Sequence, residues 1–128
     1  MNELLRGIAA SAVDELTTVG ADQVARRYRF PVDFAGFSGH FPGYPILPAI
    51  VQLQCVACLA GEHAGMPLRL AAVEDAKFLI PIRPDQEILI QYRLRPGAGK
   101  SLYDARLTVA DKLAATFLVE LVRAGGGA

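Results

Sequence analysis

The chain has 128 residues, 52% of them hydrophobic and 20% charged, with 13 Lys and Arg against 13 Asp and Glu. A domain of this size buries roughly two-thirds of its unfolded surface without disulfide staples, and its apolar fraction excludes disorder and suggests a dimer that hides further apolar surface. Zero formal net charge excludes the long-range field of a general nucleic-acid binder, so any polyanion role needs a local patch.

The N-terminus, Met1-Asn2-Glu3-Leu4-Leu5-Arg6, lacks the charged-then-apolar order of an export signal. No apolar run reaches the roughly 18 to 20 residues of a membrane span, so a cytoplasmic location with no membrane partner is expected. Residues 1–22 stay open. Their Ala-rich composition favours helix, but Val13, Leu16 and Val19 are too sparse to decide. From Gln23 to Val32 the chain leans to β, with Arg26, Arg27 and Arg29 interleaved. Gly36, Gly39, Pro42, Gly43, Pro45 and Pro48 then crowd a short stretch, which forbids helix and ladder alike and predicts a structured loop over 33–48.

Pro48 opens the one strong helix candidate, running to His63 with Gly61 or Gly65 available to end it. Nearly all its residues are apolar or small, so a helix about 24 Å long must be wrapped on most sides. Four strands follow. Leu68–Ile80 is an apolar run with charge breaks, 88–94 and 103–109 alternate, and 114–122 is nearly continuous. Pro96-Gly97-Ala98-Gly99 and Ala110-Asp111-Lys112 are hairpin connections. The expected architecture is a single α+β domain over 1–128, a long central helix wrapped by a curved antiparallel sheet, with 1–7 and 124–128 frayed.

Two short motifs have plain structural readings. Gly97-Ala98-Gly99-Lys100-Ser101 imitates the end of a phosphate-binding loop, but Leu94 stands where its first glycine belongs and a strand follows where a helix is required. Cys55-Val56-Ala57-Cys58 falls inside the helix, without the second ligand pair of a zinc site or the helix-start position of a redox pair, and reads as two reduced, buried thiols. His63, near the helix end, reads as structural, and the arginines read as a solvated face with a weaker claim to an acidic partner.

The remaining candidate is Gly39-His40-Phe41-Pro42-Gly43-Tyr44-Pro45-Ile46-Leu47-Pro48, a histidine pinned between glycines and prolines just before the start of a buried helix. This segment resembles the signature of the hot-dog-fold 3-hydroxyacyl-ACP dehydratases of the FabA/FabZ type. Val73-Glu74-Asp75-Ala76-Lys77-Phe78 with Pro81-Ile82-Arg83-Pro84-Asp85 is similar to a second stretch of that family, and the resemblance covers about residues 20 to 123. Ile50-Val51-Gln52-Leu53 is most similar to the small dehydratase-like proteins of aryl-polyene type clusters.

The resemblance implies a hot-dog fold, a homodimer or dimer-based oligomer, and an acyl thioester carried on the phosphopantetheine of acyl carrier protein or on CoA. It implies no metal, no organic cofactor and no nucleic acid. His40 would take the α-proton, and the N–H of Ala49 would hold the thioester carbonyl. Gln54, from the other subunit, occupies the position of the family's acid. Phe41, Gly43, Ile50, Val51, Leu53 and Phe78 would complete the substrate site. Gln54 is the main departure, because a carboxamide exchanges hydrogen bonds but not protons, and general acid help is worth about 10² to 10⁴ in rate. Three readings follow. The first is a slow dehydratase in which Gln54 positions the hydroxyl, the second is a thioesterase that orients water at the same carbonyl, and the third is a non-catalytic acyl-carrier-binding subunit.

Overall fold

The computed structural model describes residues 3–37, 43, 45–97 and 99–124. Along the chain run α1 (Glu3–Ala10), β1 (Thr17–Val19), β2 (Gln23–Arg29), a 3₁₀ turn at Ala35–Phe37, α2 (Ala49–Ala64), β3 (Leu68–Phe78), β4 (Glu87–Gly97), β5 (Lys100–Val109) and β6 (Lys112–Arg123). The strands form one antiparallel sheet in the order β1-β2-β4-β5-β6-β3. Loop and α2 together carry the chain from β2, near one edge, to β3 at the other.

Alternation along the strands decides which face meets α2. Ile88, Ile90 and Tyr92 of β4, Ala105, Leu107 and Val109 of β5, and Ala115, Phe117, Val119 and Leu121 of β6 are all buried. Register aligns them in rows. Val24, Tyr92, Ala105 and Phe117 lie side by side across four strands, with the small Ala105 between two rings. Each large side chain withdrawn from water here stabilises the fold by roughly 1.5 to 3 kcal/mol.

On α2, Val51, Gln52, Leu53, Cys55, Val56, Ala57, Leu59 and Ala60 are buried. The helix is thus enclosed on most sides, as its composition predicts, and the layout is the expected hot-dog arrangement. Gly65 ends it at φ 73, its N–H and that of Met66 bonding the carbonyls of Glu62 and Gly61.

The N-terminal region carries more order than its sequence suggests. Residues 3–7, expected to fray, form the first part of α1, and Ile8 is fully buried. Phe34 explains the anchorage. Its ring fills a cradle left by Gly7 and Gly36, and a Cβ on Gly7 would sit 2.9 Å from its Cε1. Tyr28, Phe30, Phe34 and Phe37 form a continuous run of ring contacts, with Phe30 and Phe34 centroids 4.6 Å apart.

Gly65→Ala isolates the conformational cost of the helix end, since nothing lies within 4 Å of the added Cβ. Urea unfolding is expected to show a loss of about 1 kcal/mol, and a smaller loss for Gly65→Asn, because Asn tolerates the left-handed region better.

Candidate active site

The first turn of α2 has no side-chain cap. Pro48 is extended there, and its carbonyl accepts from the N–H of Val51 (3.0 Å) and Gln52 (3.1 Å). The N–H groups of Ala49 and Ile50 have no acceptor among the described residues. They point out of the positive end of a sixteen-residue dipole, a preformed seat for a partly negative oxygen. Two further bonds hold this turn in place. Leu47 donates its N–H to the Ile82 carbonyl (2.7 Å), and Gln52 donates Nε2 to the Leu47 carbonyl (3.0 Å).

A groove of about 440 Å³ opens beside it, lined by Pro48, Ala49 and Gln52 on the helix side and by Phe78, Leu79 and Ile80 opposite. The far wall is held by the N–H groups of Leu79 and Ile80, which share the Ala114 carbonyl. An apolar trough with the unpaired donor of Ala49 at one end suits an acyl chain that ends in a carbonyl.

Of the residues singled out from sequence, His40 and Phe41 lie outside the described residues. Gly43 is exposed in a turn at φ 83. Ala49 and Phe78 both line the groove. Val51 and Leu53 do not line it, being 4% and 8% exposed within the core. Ile50 is 55% exposed, and Gln54, one turn further on, is half-buried. With Cys58 they form a stripe at i, i+4 spacing along the least covered side of α2. Gln54 and the groove therefore occupy different sides of one helix within a single chain.

Gln52 is the groove residue that sequence reasoning passed over. It is 4% exposed, and its Oε1 has no hydrogen-bond partner among the described residues. Its signal was available in the spacing, since position i+3 from Ala49 lies on the same helix face.

The thiols of Cys55 and Cys58 are free. Burial, then the neighbouring Cys58, push the Cys55 thiol up. Burial and then Glu62 push Cys58 up to about 11. Neither is a thiolate nucleophile near neutrality. His63 is exposed in the last turn of α2. The arginines of β2 are paired: Arg26 with Glu62, Arg27 with Asp14 at 3.2 Å, and Arg29 with Glu87 at 3.4 Å. Such surface pairs add little stability, yet they neutralise the patch that a strongly acidic partner would need. Among the described residues no group of three His, Cys, Asp or Glu could hold a metal ion, and no helix is long and apolar enough to cross a membrane.

Comparison with known proteins bears on this site. Residues 17–116 match the ApeI-like family, described as ApeI dehydratase. A 3-hydroxyacyl-[acyl-carrier-protein] dehydratase FabZ of Chloroflexus aggregans is 38% identical over 88 residues, 61% of this chain and 60% of that relative. The FabZ of Streptococcus suis is 25% identical over 112 residues, 81% of this chain and 80% of the relative. Among solved structures, the dehydratase heterocomplex ApeI:P from Xenorhabdus doucetiae superposes with a TM-score of 0.73 at 20% identity, covering 88% of this chain and 96% of the other. The E. coli PaaI protein superposes at 0.62 and 16% identity, covering 85% and 82%. These likenesses establish the hot-dog fold.

The raised thiol sets an alkaline prediction. Cys58 is ordinarily near 8.5 when unfolded, so its stabilising contribution is intact below about pH 8.5 and is lost as pH rises through about 11. Iodoacetamide labelling of the folded protein at pH 8 is expected to be slow and to speed up about tenfold per pH unit towards 11. Thermal unfolding over the same window should show a falling Tm, shallower in Cys58→Ala.

Proposed function

The chain belongs to the ApeI-like dehydratase family, and we propose that it binds a 3-hydroxyacyl thioester and eliminates water to give the 2-enoyl thioester. The observation that carries this is the unpaired N–H of Ala49 on the wall of an apolar groove of acyl dimensions, with the unpaired N–H of Ile50 next to it in the chain. A carbonyl oxygen held there gains negative character as the α-proton leaves, so the helix dipole favours the enolate over the ground state. His40 is proposed as the base, and no metal or organic cofactor is required. Gln54 holds the departing hydroxyl by hydrogen bonds but supplies no proton of its own, so turnover is slow. The curated relatives act, by name, on substrates of acyl carrier protein, and the same phosphopantetheine carrier is proposed here, with CoA as the alternative.

The proposed active form is a dimer. β3 is exposed along almost its whole length, its outer edge has no strand partner among the described residues, and Val73 and Leu79 are 38% and 53% exposed. An uncovered edge of eleven residues is a template for another strand. A second copy paired there would also cover the half-open Ile50 and Gln54 stripe, and would offer Gln54 to a groove it does not reach within its own chain. The structural relative from Xenorhabdus doucetiae is a dehydratase heterocomplex, which keeps the silent-subunit reading as the rival.

The test presents a 3-hydroxyacyl carrier protein and follows enoyl and free thiol separately. Enoyl formation lost in His40→Ala and raised about 10²-fold or more in Gln54→Glu supports the dehydratase. Thiol release without enoyl points to the thioesterase. Silence in the wild type with activity in Gln54→Glu identifies a non-catalytic binding subunit. Separately, Val73→Lys places like charges across the proposed strand pairing, and sedimentation is expected to show a monomer with lost enoyl formation.

A further inference from the structure

We infer that Gln52 reads the 3-hydroxyl of the acyl chain, and so sets the preference of the groove for hydroxylated over unsubstituted or product-like chains. This rests on the dehydratase reading above. Gln52 is 4% exposed and lines the groove beside Ala49. Its Nε2 donates to the Leu47 carbonyl at 3.0 Å. The carboxamide cannot turn end for end, because that would set its Oε1 against the carbonyl oxygen of Leu47, two acceptors face to face. The oxygen is therefore fixed as an acceptor, and it has no donor among the described residues. Among those residues it is the single buried side-chain polar atom without a partner, a state that costs stability unless a ligand relieves it.

The two ends of this turn ask for complementary groups. Ala49 and Ile50 present donors and need an acceptor; Gln52 Oε1, one helical turn along the same face, presents an acceptor and needs a donor. A 3-hydroxyacyl thioester carries both, a carbonyl and, two carbons away, a hydroxyl. A saturated chain and the enoyl product lack the donor. Bound this way, the hydroxyl donates to Gln52 and keeps its lone pairs free for a donor from elsewhere, such as the Gln54 amide. Gln52 exchanges no proton. The C2 proton goes to His40, the C3–O bond breaks, and the oxygen leaves as water with a proton from solvent. Gln52 is thus a positioning residue, and its loss acts on selectivity before rate.

The test titrates wild type and Gln52→Met with unreactive pantetheine amides of hexanoyl to decanoyl chains, each in 3-hydroxy, 3-fluoro and unsubstituted form. Fluorine has nearly the size of the hydroxyl and cannot donate. Wild type is expected to bind the 3-hydroxy form about 5- to 100-fold more tightly than the other two. In Gln52→Met that ratio falls to about one, with the unsubstituted chain bound as well as before. A ratio that survives the substitution overturns the inference, as does equal weakening of all three ligands, which marks a prop for the Leu47 turn. Equal binding of the hydroxy and fluoro forms by wild type also overturns it, and needs no variant to fold. Wild type that forms enoyl yet shows no hydroxyl preference overturns this inference alone, whereas wild type that binds none of the ligands overturns the dehydratase reading with it.

Discussion

A sixteen-residue helix with almost no polar face has to be enclosed, and that enclosure constrains the rest of the molecule. Four strands turn their alternating apolar faces to α2, and small residues on both sides, Ala57 and Ala60 on the helix and Ala105 and Ala115 on the sheet, are buried between them. Once the body of the helix is sealed, its positive end can reach a ligand only at the first turn. That turn is where an extended proline replaces a capping side chain, leaving donors open that a serine or aspartate there would have partly satisfied. The first turn is thus the part of α2 that combines open backbone donors with a groove.

The turn is rigid for reasons that lie outside it. Leu47 is bonded on one side to Ile82 and on the other to Gln52, so the helix start is tied both to the segment after β3 and to the helix itself. Donors held by such a framework need little reorganisation when charge develops near them, which is the condition for electrostatic stabilisation to be effective.

Much of this was legible before any coordinates. Alternation located β4 and β5, a nearly continuous apolar run located β6, and the glycine and proline punctuation placed α2 to within a residue at either end. The phosphate-loop imitation resolves into a hairpin, with Gly97 paired to Lys100 across it. What escaped did so for identifiable reasons. Helix α1 is anchored by one buried isoleucine and by glycines that admit a ring, neither of which makes a periodic pattern. The segment of β3 reads as an apolar run with charge breaks, and within one chain it is an exposed edge, because hydropathy records how much surface is to be buried and not by which chain. Arg26 reads as part of a solvated face, but it shares the inner face of β2 with Val24 and Tyr28 and meets Glu62 of α2. Gln52 and Gln54 differ by two positions and look alike in the sequence. The helical turn sends one into a groove and the other to the open stripe, and only three dimensions separate them.

The ring of Phe34, seated between Gly7 and Gly36, has a consequence for how such a chain can change over generations. Its cradle is built half from the N-terminal helix and half from the turn that leads toward the histidine segment, so the two stretches share one volume. Enlarging either glycine is tolerable only if the ring shrinks at the same time. The first helix and the turn at 35–37 should thus be inherited as a linked set, and a chimera that takes one from a relative without the other would carry a clash where the two meet.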